Sequence, residues 1–197
     1  SFQNPLGALM PPARKQALVE LLTQYRVPLI EDDVYAELHA GARRPPPAKA
    51  FDREGWVLHC SSFSKCLAPG YRVGWAAAGR YAHQVERLKM TTSLASALPT
   101  QLALAGYLAQ GGYDRHLRRL RESLSAQRKH ALRLIERHFP PGTRTTRPEG
   151  GYFIWVELPP SVDALALHHR ARAQSISTAP GALFSADRRF THHLRLN

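Results

Sequence analysis

The run Ser61-Ser62-Phe63-Ser64-Lys65, followed by Pro69-Gly70-Tyr71-Arg72-Val73-Gly74-Trp75, gathers a primary amine, hydroxyls and a guanidinium in one short stretch. That set suits a phosphorylated aldehyde. A lysine amine condenses with the aldehyde, while serine hydroxyls and the planar fork of an arginine hold a phosphate. Taken alone, any lysine reads as a surface charge. Ser62-x-x-Lys65 also has the form found in penicillin-recognising serine hydrolases, but those enzymes need Ser-Asp-Asn and Lys-Thr-Gly elements downstream. Neither occurs here.

Glu31-Asp32-Asp33-Val34-Tyr35 supplies what such an aldehyde would need next. A pyridoxal ring acts as an electron sink only while its ring nitrogen stays protonated, which requires a fixed carboxylate beside it. Asp32, at the end of an apolar run, provides one. Tyr35 provides a phenol for the 3′ oxygen, and Asn4 in Asn4-Pro5-Leu6-Gly7 an amide for the same atom. The bland readings are an acidic strand end and an ordinary turn.

These side chains have to be positioned by a fold. Pro11 and Pro12 stand where a helix begins, and Leu18, Val19, Leu21, Leu22 and Tyr25 form an apolar stripe at helical spacing. Strands are expected at 28–32, 56–60 and 73–78, the first a buried strand with acid at its C-terminal end. An exposed loop is expected at 41–47. The alternation argues for an α/β layer with a mainly parallel sheet, in which ligands gather beyond the carboxyl ends of the strands. From Tyr81 to Phe139 the pattern is helical, interrupted at Ser96–Pro99 and at Gly111-Gly112, with one long helix expected from Tyr113. Beyond Pro140-Pro141-Gly142 come a strand at 151–158, a helix at 162–174, and short strands at 176–178 and 193–196. The expected organisation is a mainly parallel domain over residues 1–111 and a smaller α+β domain over 112–197. Both ends of the chain read as lying within structure.

Composition restricts the alternatives. The formal charge is +12 over 197 residues, but only five of the 27 basic residues are lysine, and the arginines are spread along the chain. The densest cluster, Arg115, Arg118, Arg119 and Arg121, lacks the interleaved aromatics of a nucleic-acid-stacking surface and reads as a solvated helix face. Cys60 and Cys66 form no disulfide framework and have no partners at metal-ligand spacing; no metal site is expected. No run approaches the roughly 18 apolar residues of a membrane span.

Asn4-Pro5-Leu6-Gly7, Asp32-x-x-Tyr35, Ser62-x-Ser64-Lys65 and Arg72, in this order and spacing, resemble the motifs of class I/II aminotransferases, which are fold-type-I pyridoxal phosphate enzymes. The resemblance continues through Pro148-Glu149-Gly150-Gly151-Tyr152-Phe153-Ile154-Trp155 and ends on His193-Leu194-Arg195-Leu196-Asn197. It implies pyridoxal 5′-phosphate as cofactor, held as a Schiff base on Lys65, the catalytic residue. Asp32 would pair with the pyridinium nitrogen, Tyr35 and Asn4 with the 3′ oxygen, and Ser62, Ser64 and Arg72 with the phosphate. Arg195 would clamp a substrate α-carboxylate.

The wording of Phe2-Gln3-Asn4-Pro5-Leu6-Gly7, Cys60-Ser61-Ser62-Phe63-Ser64-Lys65 and Ala179-Pro180-Gly181-Ala182-Leu183-Phe184-Ser185 resembles MocR-type regulators in particular. These join an N-terminal winged helix-turn-helix of GntR type to an aminotransferase-like effector domain. That likeness implies a cytoplasmic homodimer that binds DNA through a domain upstream of residue 1. It would respond to an amino acid or a pyridoxal phosphate adduct, with no membrane partner. The first half of the large domain would also lie upstream, so a polypeptide of these residues alone is expected to bind the cofactor poorly. The competing reading is a working aminotransferase exchanging an amino group between an amino acid and a 2-oxo acid.

Overall fold

A computed structural model describes residues 1–197. The chain divides into two compact units: Ser1 with Met10–Arg121, and Phe2–Leu9 with Glu122–Asn197. The dividing point falls inside a long helix rather than at its start.

In the first unit, α1 (Pro12–Gln24) begins with proline in its first turn, where the missing N–H is unpaired in any case. Its Val19 packs with Ala48 and Val57, flanked by Leu29 and Phe51. Leu21 and Tyr25, expected in the buried stripe, are exposed. β1 (Leu29–Asp32), β2 (Val57–Ser62) and β3 (Gly74–Ala77) form a three-stranded sheet in that order. β1 and β2 are parallel, with Leu29 opposite Val57 and Asp32 opposite Cys60. β3 returns antiparallel to β2, because the connection over residues 63–73 holds only turns and a 3-10 turn. A parallel return needs a crossover of a dozen or more residues, usually through a helix.

The pleat sorts this sheet into two faces. Leu29, Glu31, Val57 and His59 share the face that α1 covers. Ile30, Asp32 and Ser62 lie on the other, and there Ile30 is 72% exposed. An unbroken apolar run reads as a strand buried on both faces; residues 1–197 cover one face of Pro28–Asp32.

α2 (Ala82–Ser93), α3 (Leu98–Ala109) and α4 (Gly112–His138) follow with breaks where the sequence places them. In the second unit β4 (Arg144–Thr145), β5 (Ile154–Glu157), β6 (Ala179–Pro180) and β7 (His193–Leu196) form a sheet of order β4-β5-β7-β6. The strand expected at 176–178 falls at Ala179–Pro180 instead, and β4 was not anticipated. α5 spans Ala164–Arg172, capped by the Asp163 carboxylate accepting from Ala166 N at 2.7 Å. Ile154, Val156, Leu158 and Leu194 meet Ile135 of α4 and form the core.

Leu194 is 2% exposed within that core. Leu194→Ala is expected to lower the unfolding free energy by about 2–5 kcal/mol. Leu165→Ala, at a half-exposed helix position, is expected to change it by no more than about 0.5 kcal/mol. Urea titration of both variants measures the difference.

Candidate functional site

Because β1 and β2 are parallel, their carboxyl ends emerge together, carrying Asp32 and Ser62. Asp32 is exposed, and one of its carboxylate oxygens accepts from Val34 N at 3.3 Å. Tyr35 follows in the turn and leads into a 3-10 turn at Ala36–Leu38.

Beyond β2 the chain turns tightly. Leu67 N and Ala68 N both donate to Phe63 O, at 2.9 and 3.0 Å, and Phe63 N donates to Val73 O at 3.1 Å. Lys65 stands exposed on this turn, with its Nζ 5.9 Å from the centre of the Tyr35 ring. Ser62 Oγ accepts from Ser64 N at 3.3 Å. Ser64 Oγ accepts from Arg72 Nη1 at 3.3 Å, and Arg72 also donates to Pro69 O. Gly74 lets β3 close on this loop, since a Cβ there would lie 2.8 Å from Ser61 O and 3.1 Å from Ser62 Cβ. Six of the predicted residues, Asp32, Tyr35, Ser62, Ser64, Lys65 and Arg72, therefore belong to the first unit. There the turn joins the amine to the two hydroxyls and the guanidinium.

Directly behind Asp32 lies a residue that sequence reasoning passed over. Asp33 is 1% exposed. Its carboxylate accepts from Arg44 Nη2 at 2.9 Å and from Ser1 N at 3.0 Å, and lies 3.3 Å from His59 Nε2. Its backbone extends the parallel ladder, with Asp33 N donating to Cys60 O at 2.9 Å and Asp33 O accepting from Ser61 Oγ at 3.3 Å. Arg44 also pairs with Glu37, which in turn pairs with Arg121. One member of the arginine cluster is thus a structural partner, while Arg115, Arg118 and Arg119 are exposed as expected. Burial alone would raise the Asp33 carboxyl, but the contact from His59 opposes it, and the carboxyl lies below the ordinary range. In a row of acids, the only sequence signal for this role was the histidine of the neighbouring strand.

Asn4 and Arg195 belong to the second unit. Gly7 N donates to Gln3 O at 2.6 Å, closing the turn that carries Asn4. Gly7 has φ +68°, and a Cβ there would meet Pro148 Cβ at 2.6 Å, so only glycine fits. Arg195 Nη1 donates to Asn4 Oδ1 at 2.9 Å, and Nη2 to Asn197 Oδ1 at 3.1 Å. The guanidinium carbon lies 4.7 Å from the centre of the Phe153 ring and 5.3 Å from that of Phe184. Its Nε is buried without a hydrogen-bond partner. A guanidinium held by amides and rings, with three of its five N–H donors unspent, is suited to a carboxylate. The two rings were not anticipated as site residues. Phe153 was visible only as one position of an apolar strand.

The structure and sequence agree with known proteins on the fold and the family. The solved α-aminoadipate aminotransferase LysN of Thermus thermophilus, complexed with N-(5′-phosphopyridoxyl)-L-leucine, superposes with a TM-score of 0.91 at 34% identity. That match covers 100% of this chain and 51% of LysN. The fold is that of the fold-type-I aminotransferases. The family model "Aminotransferase class I and II" matches residues 1–197, and the chain belongs to that family.

Over 195 residues, 99% of the chain, it is 48% identical to the uncharacterized HTH-type transcriptional regulator YdcR of Escherichia coli K12, covering 42% of that protein. It is 35% identical over 198 residues to aromatic-amino-acid aminotransferase 1 of Thermococcus litoralis, covering 48% of it. The chain thus spans less than half the length of these two relatives.

Asp33→Asn is expected to destabilise the protein at neutral pH by about 3–5 kcal/mol, the cost of breaking a buried ion pair. A carboxyl depressed on folding contributes stability that is fully present above the unfolded pKa, near 4. That contribution is lost as the pH falls below it. Urea unfolding at neutral and acidic pH should therefore show a shallower acid limb in Asp33→Asn.

Proposed function

We propose that this chain is the pyridoxal 5′-phosphate-binding, aminotransferase-like effector region of a transcription regulator of MocR/GntR type. The observation that carries the cofactor reading is the Ser62–Ser64–Arg72 cradle closed on the turn that presents Lys65, beside Asp32 and Tyr35 at the carboxyl end of a parallel strand pair. The donor set matches the group: hydroxyls and a fork for a phosphate, an amine for an aldehyde, a carboxylate for a ring nitrogen. The 48% identity to an HTH-type regulator supports the regulatory reading. In it, residues 1–111 are the C-terminal part of the large domain and 112–197 the small domain. A DNA-binding domain and the rest of the large domain would precede them, in a cytoplasmic homodimer.

Pyridoxal phosphate, when bound, supplies a reactive aldehyde and an electron sink for bonds at an amino acid's Cα. Lys65 Nζ would be the amine that holds the aldehyde and the base placed for the Cα proton. Asp32 would hold the proton on the ring nitrogen. Tyr35 Oη and the Asn4 amide NH2 would be the donors for the 3′ oxygen; Asn4 Oδ1 is already taken up by Arg195. Ser62, Ser64 and Arg72 would hold the phosphate. Arg195 would take the α-carboxylate of the amino acid and so orient its Cα bonds.

Arg195 favours a second reading, a working aminotransferase, because a sensor of the cofactor alone has little use for a carboxylate clamp. The 35% identity to an aromatic-amino-acid aminotransferase supports it too.

The test is an absorbance titration of the full-length protein with pyridoxal phosphate. Wild type should develop a visible band that Lys65→Ala lacks. Arg72→Ala should keep the band but bind the cofactor about 10–100-fold more weakly, from the roughly 1.5–3 kcal/mol of a charged hydrogen bond. A wild type with no band rejects the cofactor reading. Adding amino acids then separates the two functions: conversion of the band with release of a 2-oxo acid means an aminotransferase, and a shift without product means a sensor.

A further inference from the structure

The sheet of the second unit brings together three metal-ligating side chains that the cofactor reading does not use. Glu157, at the end of β5, lies opposite His193, at the start of β7. Directly opposed residues of an antiparallel pair project from the same face. His192 precedes β7 and would ordinarily alternate to the far side. The turn in which His193 N donates to Phe190 O at 3.0 Å brings it back. The two imidazole centres are 4.4 Å apart at 46°. His192 Nε2 lies 4.0 Å from Glu157 Oε1.

We propose that Glu157, His192 and His193 form a binding site for a borderline divalent transition-metal cation of the Zn²⁺ type, with a fourth position open to water. Two imidazoles and one carboxylate are a donor set that Zn²⁺ takes in open sites. One ligand atom from each of the three residues lies within 4.8 Å of the others. Tetrahedral bonds of about 2.0–2.1 Å place ligand atoms about 3.3 Å apart, so closure needs side-chain movements of about an ångström. Glu157 and His192 are partly exposed and can make them.

Two further observations point to a ligand. His193 Nδ1 is buried and has no hydrogen-bond partner, a condition that in folded proteins calls for a water, an ion or strain to explain it. Trp155 stacks on the His193 ring at 26°, and Phe190 meets it edge-on at 5.3 Å. The ring is therefore held in place before any ion arrives. Arg144 Nη1, 3.9 Å from Glu157 Oε2, is the nearest competing cation, and its side chain is 81% exposed and free to swing away. Reading along the chain could not find the site, because its ligands are 35 positions apart and meet only through the β5–β7 register.

The test is calorimetric titration of Zn²⁺ into the full-length protein, metal-free and without a polyhistidine tag. Wild type should bind one equivalent saturably. Glu157→Gln and His192→Gln should each weaken binding by at least about a hundredfold, since even the outer-shell partners of metal ligands are worth roughly 10–100-fold. His168→Gln alters the other adjacent histidine pair, which has no carboxylate across from it, and should leave binding unchanged. Co²⁺ in place of Zn²⁺ should give a visible ligand-field spectrum lost in the same two variants, with circular dichroism confirming that both remain folded. No saturable binding by wild type overturns the proposal. So does binding that survives Glu157→Gln and His192→Gln, or that disappears in His168→Gln.

Discussion

The buried Asp33 carboxylate is the contact on which the arrangement of the first unit depends. It sits one residue past β1 and joins that strand to β2 twice, through the backbone ladder to Cys60 and through its side chain to His59. The same oxygen, Oδ2, engages Arg44, which is tied through Glu37 to Arg121 of α4. A buried charge is tolerable only when its partners satisfy it, so these elements are constrained together. Alternation along the chain then turns Asp32 to the opposite face and leaves it exposed. The residue that holds the strand ends and the residue offered for chemistry are neighbours because a strand has two faces.

Rigidity in this part of the chain is concentrated below the candidate site rather than in it. Lys65 is exposed on a turn, while Cys66, next to it, is buried, with its Sγ 3.2 Å from Tyr113 Oη. His116 Nε2 contacts Cys66 O at 2.8 Å. The turn is therefore anchored to the first turns of α4 immediately after the lysine, and Phe63 meets Tyr113 edge-on just before it. Burial lifts the Cys66 thiol above its usual value and its partner Tyr113 far above the phenol range. Both groups stay neutral, as structural supports should. An anchored turn presenting an exposed amine suits the role proposed for Lys65.

Much of this was legible in the sequence, for identifiable reasons. The helices from 82 to 138 could be placed because glycine and proline punctuate them and because charge and apolar residues alternate at helical spacing. The residues of the lysine turn could be grouped because they are close along the chain. What escaped were relations fixed by tertiary pairing. Asp33 could not be separated from Asp32 by type, only by which face of β1 is covered. The antiparallel return of β3 follows from a short connection, although the surrounding alternation reads as parallel.

The second unit carries the same logic onto a sheet whose two faces have different tasks. Ile154, Val156, Leu194 and Leu196 turn toward α4 and α5 and form a dry core. Their alternates, Trp155, Glu157, His193 and Arg195, turn the other way and hold most of this unit's polar chemistry. Trp155 pairs across the strands with Arg195 and stacks on His193, so one aromatic residue separates the guanidinium from the histidine pair and borders both. A one-residue slip of β7 against β5 would send Arg195 into the core and Leu194 into the open. The packing of Leu194 and Val156 is therefore what keeps the arginine beside Asn4 and the histidine beside Glu157. Core and site are two readings of one register, and neither can change without the other.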